Sequence, residues 1–117
     1  MSKIYRYEKL TYTGDENEII VFKVKMISNG NIGRAIIDAP SVPEQVILDS
    51  GKVTLGSLKS LIKSKTDCYS NINNPTPIAD SIIVEYYINS TLLVRHENLK
   101  TETEDPFIIL KIKFIKL

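Results

Sequence analysis

The sequence predicts an all-β domain, a two-layer antiparallel β-sandwich or small barrel of about seven or eight strands. The first observation behind this prediction is composition. Among the 117 residues, 18 isoleucines, 7 valines and 8 threonines make 33 β-branched residues, against only 3 alanines. β-Branched side chains lose rotamer freedom in a helix and pack well on a pleated sheet. The composition therefore excludes a helical bundle.

The second observation is strict alternation of large apolar and polar residues in three segments, the pattern of a half-buried strand. The apolar rows are Ile20, Phe22, Val24 and Met26; Ile82, Val84, Tyr86 and Ile88; and Ile108, Leu110, Ile112 and Phe114. We therefore expect strands over 18–27, 81–88 and 108–114, each turning its apolar row to the core.

Aromatic and β-branched residues also predict a first strand over 3–13. Asn29 and Gly30 tolerate the positive φ angles of a tight turn, so we expect a hairpin that joins 18–27 to 32–38.

Two further turns follow from the sequence. Pro40 and Pro43 remove backbone donors and mark a bend before a short edge strand over 46–48. Asn89-Ser90 predicts a turn between 81–88 and a strand over 91–96.

The segment 56–65 is ambiguous. Leu55, Leu58, Leu61 and Ile62 lie close to one helical face, and Ser57 would cap a helix there. The absence of alanine and the content of isoleucine, serine and threonine favour instead a strand over about 59–69. A short helix near 56–65 is the alternative. The segments 71–80 and 98–106 are expected to be polar loops.

Composition also limits the partners of the chain. We find no repeat or composition break, so residues 1–117 are expected to form a single domain. A net charge of +1 does not favour nucleic acid. No apolar run reaches the length that spans a bilayer. The first residues lack a signal-peptide stretch, which favours a cytoplasmic location.

The inventory of reactive residues predicts a non-enzymatic protein without a cofactor. One cysteine, Cys68, and one histidine, His96, cannot supply the four ligands of a structural zinc site. Cys68 is expected to be a semi-buried apolar residue. No nucleophile or base motif accompanies His96, which is expected at the rim of a strand. The carboxylates of the 98–106 loop lack the order of an EF-hand, so we expect a solvated loop rather than a calcium site.

Apolar residues on the outward parity of the predicted strands point to an interaction surface, because the outer face of a two-layer protein is mostly polar. They include Ile19, Val21, Tyr87, Phe107 and Ile109. The lysines on the same parity, Lys23, Lys25, Lys111 and Lys113, would form one basic patch if the second and last strands were neighbours. The alternative is that these lysines only protect exposed strands from aggregation.

These observations favour a protein that acts by protein–protein contact, as a homo-oligomer, an adaptor or a structural subunit. The alternative is a small-ligand binding sandwich, with carbohydrate among the candidates. Its site would lie near the loops 71–80 and 98–106.

Overall fold

The computed structural model describes residues 3–117, within which there are nine strands and one short helix. In chain order the strands are β1 (Ile4–Gly14), β2 (Ile19–Met26), β3 (Ile32–Asp38), β4 (Gln45–Leu48), β5 (Gly51–Ser57), β6 (Thr66–Asn73), β7 (Ser81–Ile88), β8 (Thr91–Leu99) and β9 (Phe107–Lys116). The helix α1 (Leu58–Leu61) lies between β5 and β6. No helix within the described residues is long and apolar enough to cross a membrane.

The strands form two sheets packed face to face. One has five strands in the order β1-β9-β6-β3-β4, and the other has four in the order β5-β2-β7-β8. Within residues 3–117, neighbouring strands are antiparallel except β1 and β9, which are parallel. The predicted two-sheet, all-β class is confirmed, with nine strands instead of seven or eight. The additional strand is β5, whose two glycines, Gly51 and Gly56, interrupt the apolar alternation.

The three runs of alternating apolar residues that the sequence predicts all lie between the sheets. Alternate residues of β2, β7 and β9 are fully or almost fully buried, since side chains two apart along a strand share one face. Their neighbours in the core come from β3, β5, α1 and β6, including Ile37, Leu55 and Ile72. One continuous apolar cluster therefore holds both sheets together.

The expected strand over 59–69 is wrong in its first half. Residues Leu58–Leu61 form α1, and Ser57 caps it, since its Oγ accepts a hydrogen bond from the amide of Ser60 at 3.3 Å. Leu58 and Leu61, three residues apart on one helical face, are buried. The helical alternative is the correct one, and β6 begins only at Thr66.

The hairpin expected at Asn29-Gly30 is also wrong, because β2 and β3 belong to different sheets. The turn instead carries the chain from one sheet to the other. Gly30 has a φ of +86°, which favours glycine. Asn74 holds the turn in place by donating from Nδ2 to the carbonyl of Asn29 at 2.9 Å.

The other two predicted turns are confirmed. Asn89 has a φ of +54° between the antiparallel strands β7 and β8. The prolines precede β4, which is short and lies at the edge of the five-stranded sheet.

Candidate interaction surface

The nine residues predicted as an interaction surface lie on two opposite faces of the sandwich. Residues of β2 and β7 point outward from the four-stranded sheet, and residues of β9 point outward from the five-stranded sheet. The first group is Ile19, Val21, Lys23, Lys25 and Tyr87, and the second is Phe107, Ile109, Lys111 and Lys113. The single basic patch expected from neighbouring β2 and β9 is therefore wrong, because the two strands are in different sheets.

On the four-stranded sheet, charged side chains surround the aromatic one. Lys23 Nζ lies 4.9 Å from the centre of the Tyr87 ring, within the range of a cation–π contact. The Tyr87 hydroxyl donates to Glu85 at 2.6 Å, and Arg95 lies 3.6 Å from the same carboxylate. Lys25 is paired opposite Glu85 in the register. We call this surface, made of Lys23, Lys25, Glu85, Tyr87 and Arg95, the charged face.

On the five-stranded sheet, apolar residues instead line up across the strands. Ile36 of β3 is opposite Tyr69 of β6 on one side and Val46 of β4 on the other. Tyr69 is in turn opposite Ile109 of β9. Directly paired residues point to the same side of a sheet. Ile109, Tyr69, Ile36 and Val46 therefore form one continuous line over four strands, which we call the apolar row.

The apolar row is open to solvent at one end and covered at the other. Val46 is 50% exposed, and Leu48, the next outward residue of the edge strand, is 69% exposed. Ile109 is only 6% exposed although it points outward. The rings of Tyr69 and Phe107 beside it are stacked, with centroids 6.4 Å apart and planes 10° apart. Ile109 is thus flanked by Tyr69 on one neighbouring strand and by Arg6 on the other, and it is almost fully buried within the single chain.

Polar residues flank the apolar row on one side. In this upper flank, Arg34 is opposite Asn71, and Asn71 is opposite Phe107. Arg34 is exposed, and within residues 3–117 its guanidinium makes no ion pair. The upper flank, Phe107, Asn71 and Arg34, therefore presents an aromatic ring, an amide and a free cation.

Acidic residues dominate the other side of the row. In this lower flank, Lys111 is opposite Asp67 and forms an ion pair with it at 3.5 Å. Asp38 is also directly opposite Asp67, so two carboxylates face each other across β3 and β6. Asp38 is exposed and has no ion-pair partner in the described part of the chain. Like charges opposite one another destabilise a sheet. Within residues 3–117, no ion pair at Asp38 offsets this repulsion.

The sequence pointed to Phe107 and Ile109 but missed Ile36, Tyr69 and Val46. Ile36 points outward because its neighbours Ala35 and Ile37 are buried. What was missing is the pairing, because only the register places these residues beside Ile109.

His96 is buried between the sheets, so its expected position at a strand rim is wrong. Asn98 donates from Nδ2 to the carbonyls of Leu99 at 2.9 Å and Thr103 at 3.1 Å, which turns its Oδ1 toward His96. The His96 Nε2–H therefore donates to Asn98 Oδ1 at 2.7 Å, and Nδ1 accepts from the Tyr7 hydroxyl at 2.8 Å.

Burial lowers the pKa of His96 below its usual value, and the hydrogen bond to Asn98 opposes this shift. The neutral ring joins β1 to β8, the two strands along this side of the sandwich. Cys68 is fully buried rather than semi-buried, and burial raises the pKa of its thiol to about 12. Both groups serve packing between the sheets.

The loops at one end of the sandwich enclose a shallow, polar cavity. Its volume is about 360 Å³, and it is lined by Asn73 and by residues 100–105. Glu102 there accepts hydrogen bonds from the Leu99 amide at 3.1 Å and from Lys3 at 3.3 Å, and these contacts lower the pKa of its carboxyl. Within residues 3–117 there is no group of three or more histidine, cysteine or acidic residues that would hold a metal ion.

Comparison with family models, curated proteins and solved structures finds no match for this chain.

Proposed function

We propose that this protein acts by protein–protein contact through the outer face of its five-stranded sheet, and that a second copy of the chain is the partner. The observation that carries the proposal is the apolar row, which crosses four strands and ends at the exposed Val46. Apolar surface of this kind gains about 25 cal/mol for each Å² that is removed from water. Exposed apolar surface is a common mark of an interaction site, and here it lies at the Val46 and Leu48 end of the row.

The size of the face suits a reversible complex. Five strands at a spacing of about 4.8 Å and seven or eight residues of about 3.3 Å each give a face of about 600 Å². A typical specific interface buries about 800 Å² on each partner. A face of this size lies at the small end of specific interfaces, where transient association is common.

The charge of the face supports self-association. The net charge of the chain is +1, so two copies repel each other little. Both flanks of the apolar row carry charged side chains, with cations at Arg34 and Lys111 and carboxylates at Asp38 and Asp67. A face that contains both signs can be complementary to itself, as a two-fold symmetric interface requires.

Two matched substitutions test the proposal. Val46 lies on the edge strand of the five-stranded sheet and Leu92 on the edge strand of the other, and they are 50% and 47% exposed. In sedimentation velocity, we expect the wild-type chain to associate as concentration rises. Val46→Asp should weaken association about tenfold or more, because it buries a charge in an apolar contact. Leu92→Asp should leave association unchanged.

The same experiment can overturn the proposal. A wild-type chain that stays monomeric up to near-millimolar concentration contradicts it, as does an equal loss of association in both variants. Thermal unfolding of each variant checks that the substituted chain is folded.

Small-ligand binding at the loop cavity has less support. The cavity is lined by Asn73 and residues 100–105, which contribute no aromatic side chain. The rings of Tyr5 and Tyr7 pack against His96, and only the Tyr5 hydroxyl reaches a lining residue, by donating to Glu102 at 3.4 Å.

A further inference from the structure

We infer that the two copies pack about a two-fold axis that runs along the apolar row, so that Arg34 of each copy pairs with Asp38 of the other. This inference rests on the proposed function and adds the geometry of its interface. It follows from how the two flanks are placed on the five-stranded sheet.

Arg34 and Asp38 lie symmetrically about the apolar row. Both are on β3, two residues before and two residues after Ile36, so all three side chains point outward. The rise along a strand places each charge about 7 Å from the row. A two-fold axis along the row exchanges its two sides, which brings Arg34 of one copy over Asp38 of the other.

At the β1 end of the row, Arg6 is opposite Ile109, and the axis sets it over Arg6 of the other copy. The ion pair of Arg6 with Glu8 at 3.6 Å offsets the like charge.

On β6 and β9, the same axis brings unlike groups together. On β6, Asn71 and Asp67 are two residues either side of Tyr69, and the axis sets the amide of one copy over the carboxylate of the other. On β9, it sets the Phe107 ring over Lys111. An amide donates to a carboxylate and an ammonium binds the face of a ring, so both contacts are favourable.

An axis parallel to the strands fails on the same residues. It would set each flank against itself, so that carboxylates meet carboxylates. With the axis between β3 and β6, Asp38 of one copy would face Asp67 of the other. These two residues already stand opposite each other within one chain. Like charges brought together at an interface oppose association, so this arrangement is disfavoured.

The axis along the row also gives Arg34 and Asp38 the ion-pair partners that they lack in the single chain. Within residues 3–117, the side chains of Arg34 and Asp38 have no ion-pair partner. Strands of the two copies would then run antiparallel across the interface, within about 30° of each other, which is the common packing of stacked sheets. A long arginine side chain spans the offset that this angle produces.

The test is a charge exchange between two variants. Arg34→Asp gives a chain with acidic groups at both positions, and Asp38→Arg gives a chain with basic groups at both. Each variant alone would bring like charges together twice, and we expect its self-association to weaken about tenfold or more. A one-to-one mixture forms two opposite-charge pairs, and we expect association within a few-fold of wild type.

Sedimentation of each variant and of the mixture distinguishes the outcomes. The control Arg95→Asp, on the charged face, should leave association unchanged. If the wild-type chain associates and Val46→Asp abolishes it, but the mixture is no stronger than the single variants, the axis is wrong and the proposed function stands. A monomeric wild-type chain contradicts both. Position 34 and position 38 are exposed, and circular dichroism checks that both variants are folded.

Discussion

The two outer faces of the sandwich contain similar residues in different arrangements. On the charged face, Tyr87 lies between Lys23 and Glu85, so the aromatic ring is already engaged by charges of the same chain. On the five-stranded sheet, Ile36 lies between Tyr69 and Val46, so apolar groups adjoin one another. The difference shows that register decides whether apolar or charged side chains adjoin one another on a face.

The largest expected difference between the two faces concerns the stability that two outward-pointing isoleucines contribute. Ile109 is 6% exposed, whereas Ile83, which points outward from the four-stranded sheet, is half-buried. We expect Ile109→Ala to lower the free energy of unfolding by about 2–4 kcal/mol, because it removes apolar groups from an almost fully buried side chain and leaves a cavity. Ile83→Ala should cost about 1 kcal/mol or less.

Urea denaturation of both alanine variants, made in the Val46→Asp background, measures these costs without a contribution from association. Equal losses at the two positions would show that the two faces shield their outward residues alike.

An intermediate effect separates folding from association. His96→Phe keeps a ring against Tyr5 but leaves the Tyr7 hydroxyl and Asn98 Oδ1 without their partner. We expect a loss of about 1–3 kcal/mol in the free energy of unfolding at neutral pH. Neither outer face contains His96, so association of the folded chain should not change.

The pH dependence of stability follows from the lowered pKa of His96. The unfolded chain binds this proton more readily than the folded chain, so the stabilisation is present above about pH 6.5 and is lost as the pH falls below it. Urea titrations on both sides of this pH should show a steeper acid loss for wild type than for His96→Phe. Parallel curves would contradict the neutral, buried ring.

The smallest effect lies on the charged face. Lys23→Ala removes the cation over Tyr87, and we expect a loss of about 0.5–1 kcal/mol in stability with no change in association. Lys25→Ala, two residues along the same strand, is the matched control and should cost less. A change in self-association in Lys23→Ala would mean that the charged face also contacts a partner.

Strand parity was predictable from the sequence, because alternation is a local property. The alternating apolar residues of β2, β7 and β9 are buried as expected, and the turn at Asn89 joins β7 to β8. The turn at Asn29-Gly30 shows the limit. Its chemistry predicts a tight turn, but whether the flanking strands pair depends on distant partners. The helix α1 was ambiguous because four residues give too short a pattern to separate a helix from a strand.

The candidate site was predictable only in part for the same reason. Phe107 and Ile109 are visible as outward apolar residues of a strongly alternating strand. Ile36, Tyr69 and Val46 join them through pairings between strands that are far apart in sequence. Parity says which side of a strand a residue faces, and register alone says which residues it meets.

The most direct test of the central claim is sedimentation equilibrium of the wild-type chain over a range of concentrations. We expect the average mass to rise from the 13.2 kDa of the single chain toward twice that value as concentration increases. An average mass that stays at 13.2 kDa throughout would contradict self-association through the five-stranded sheet.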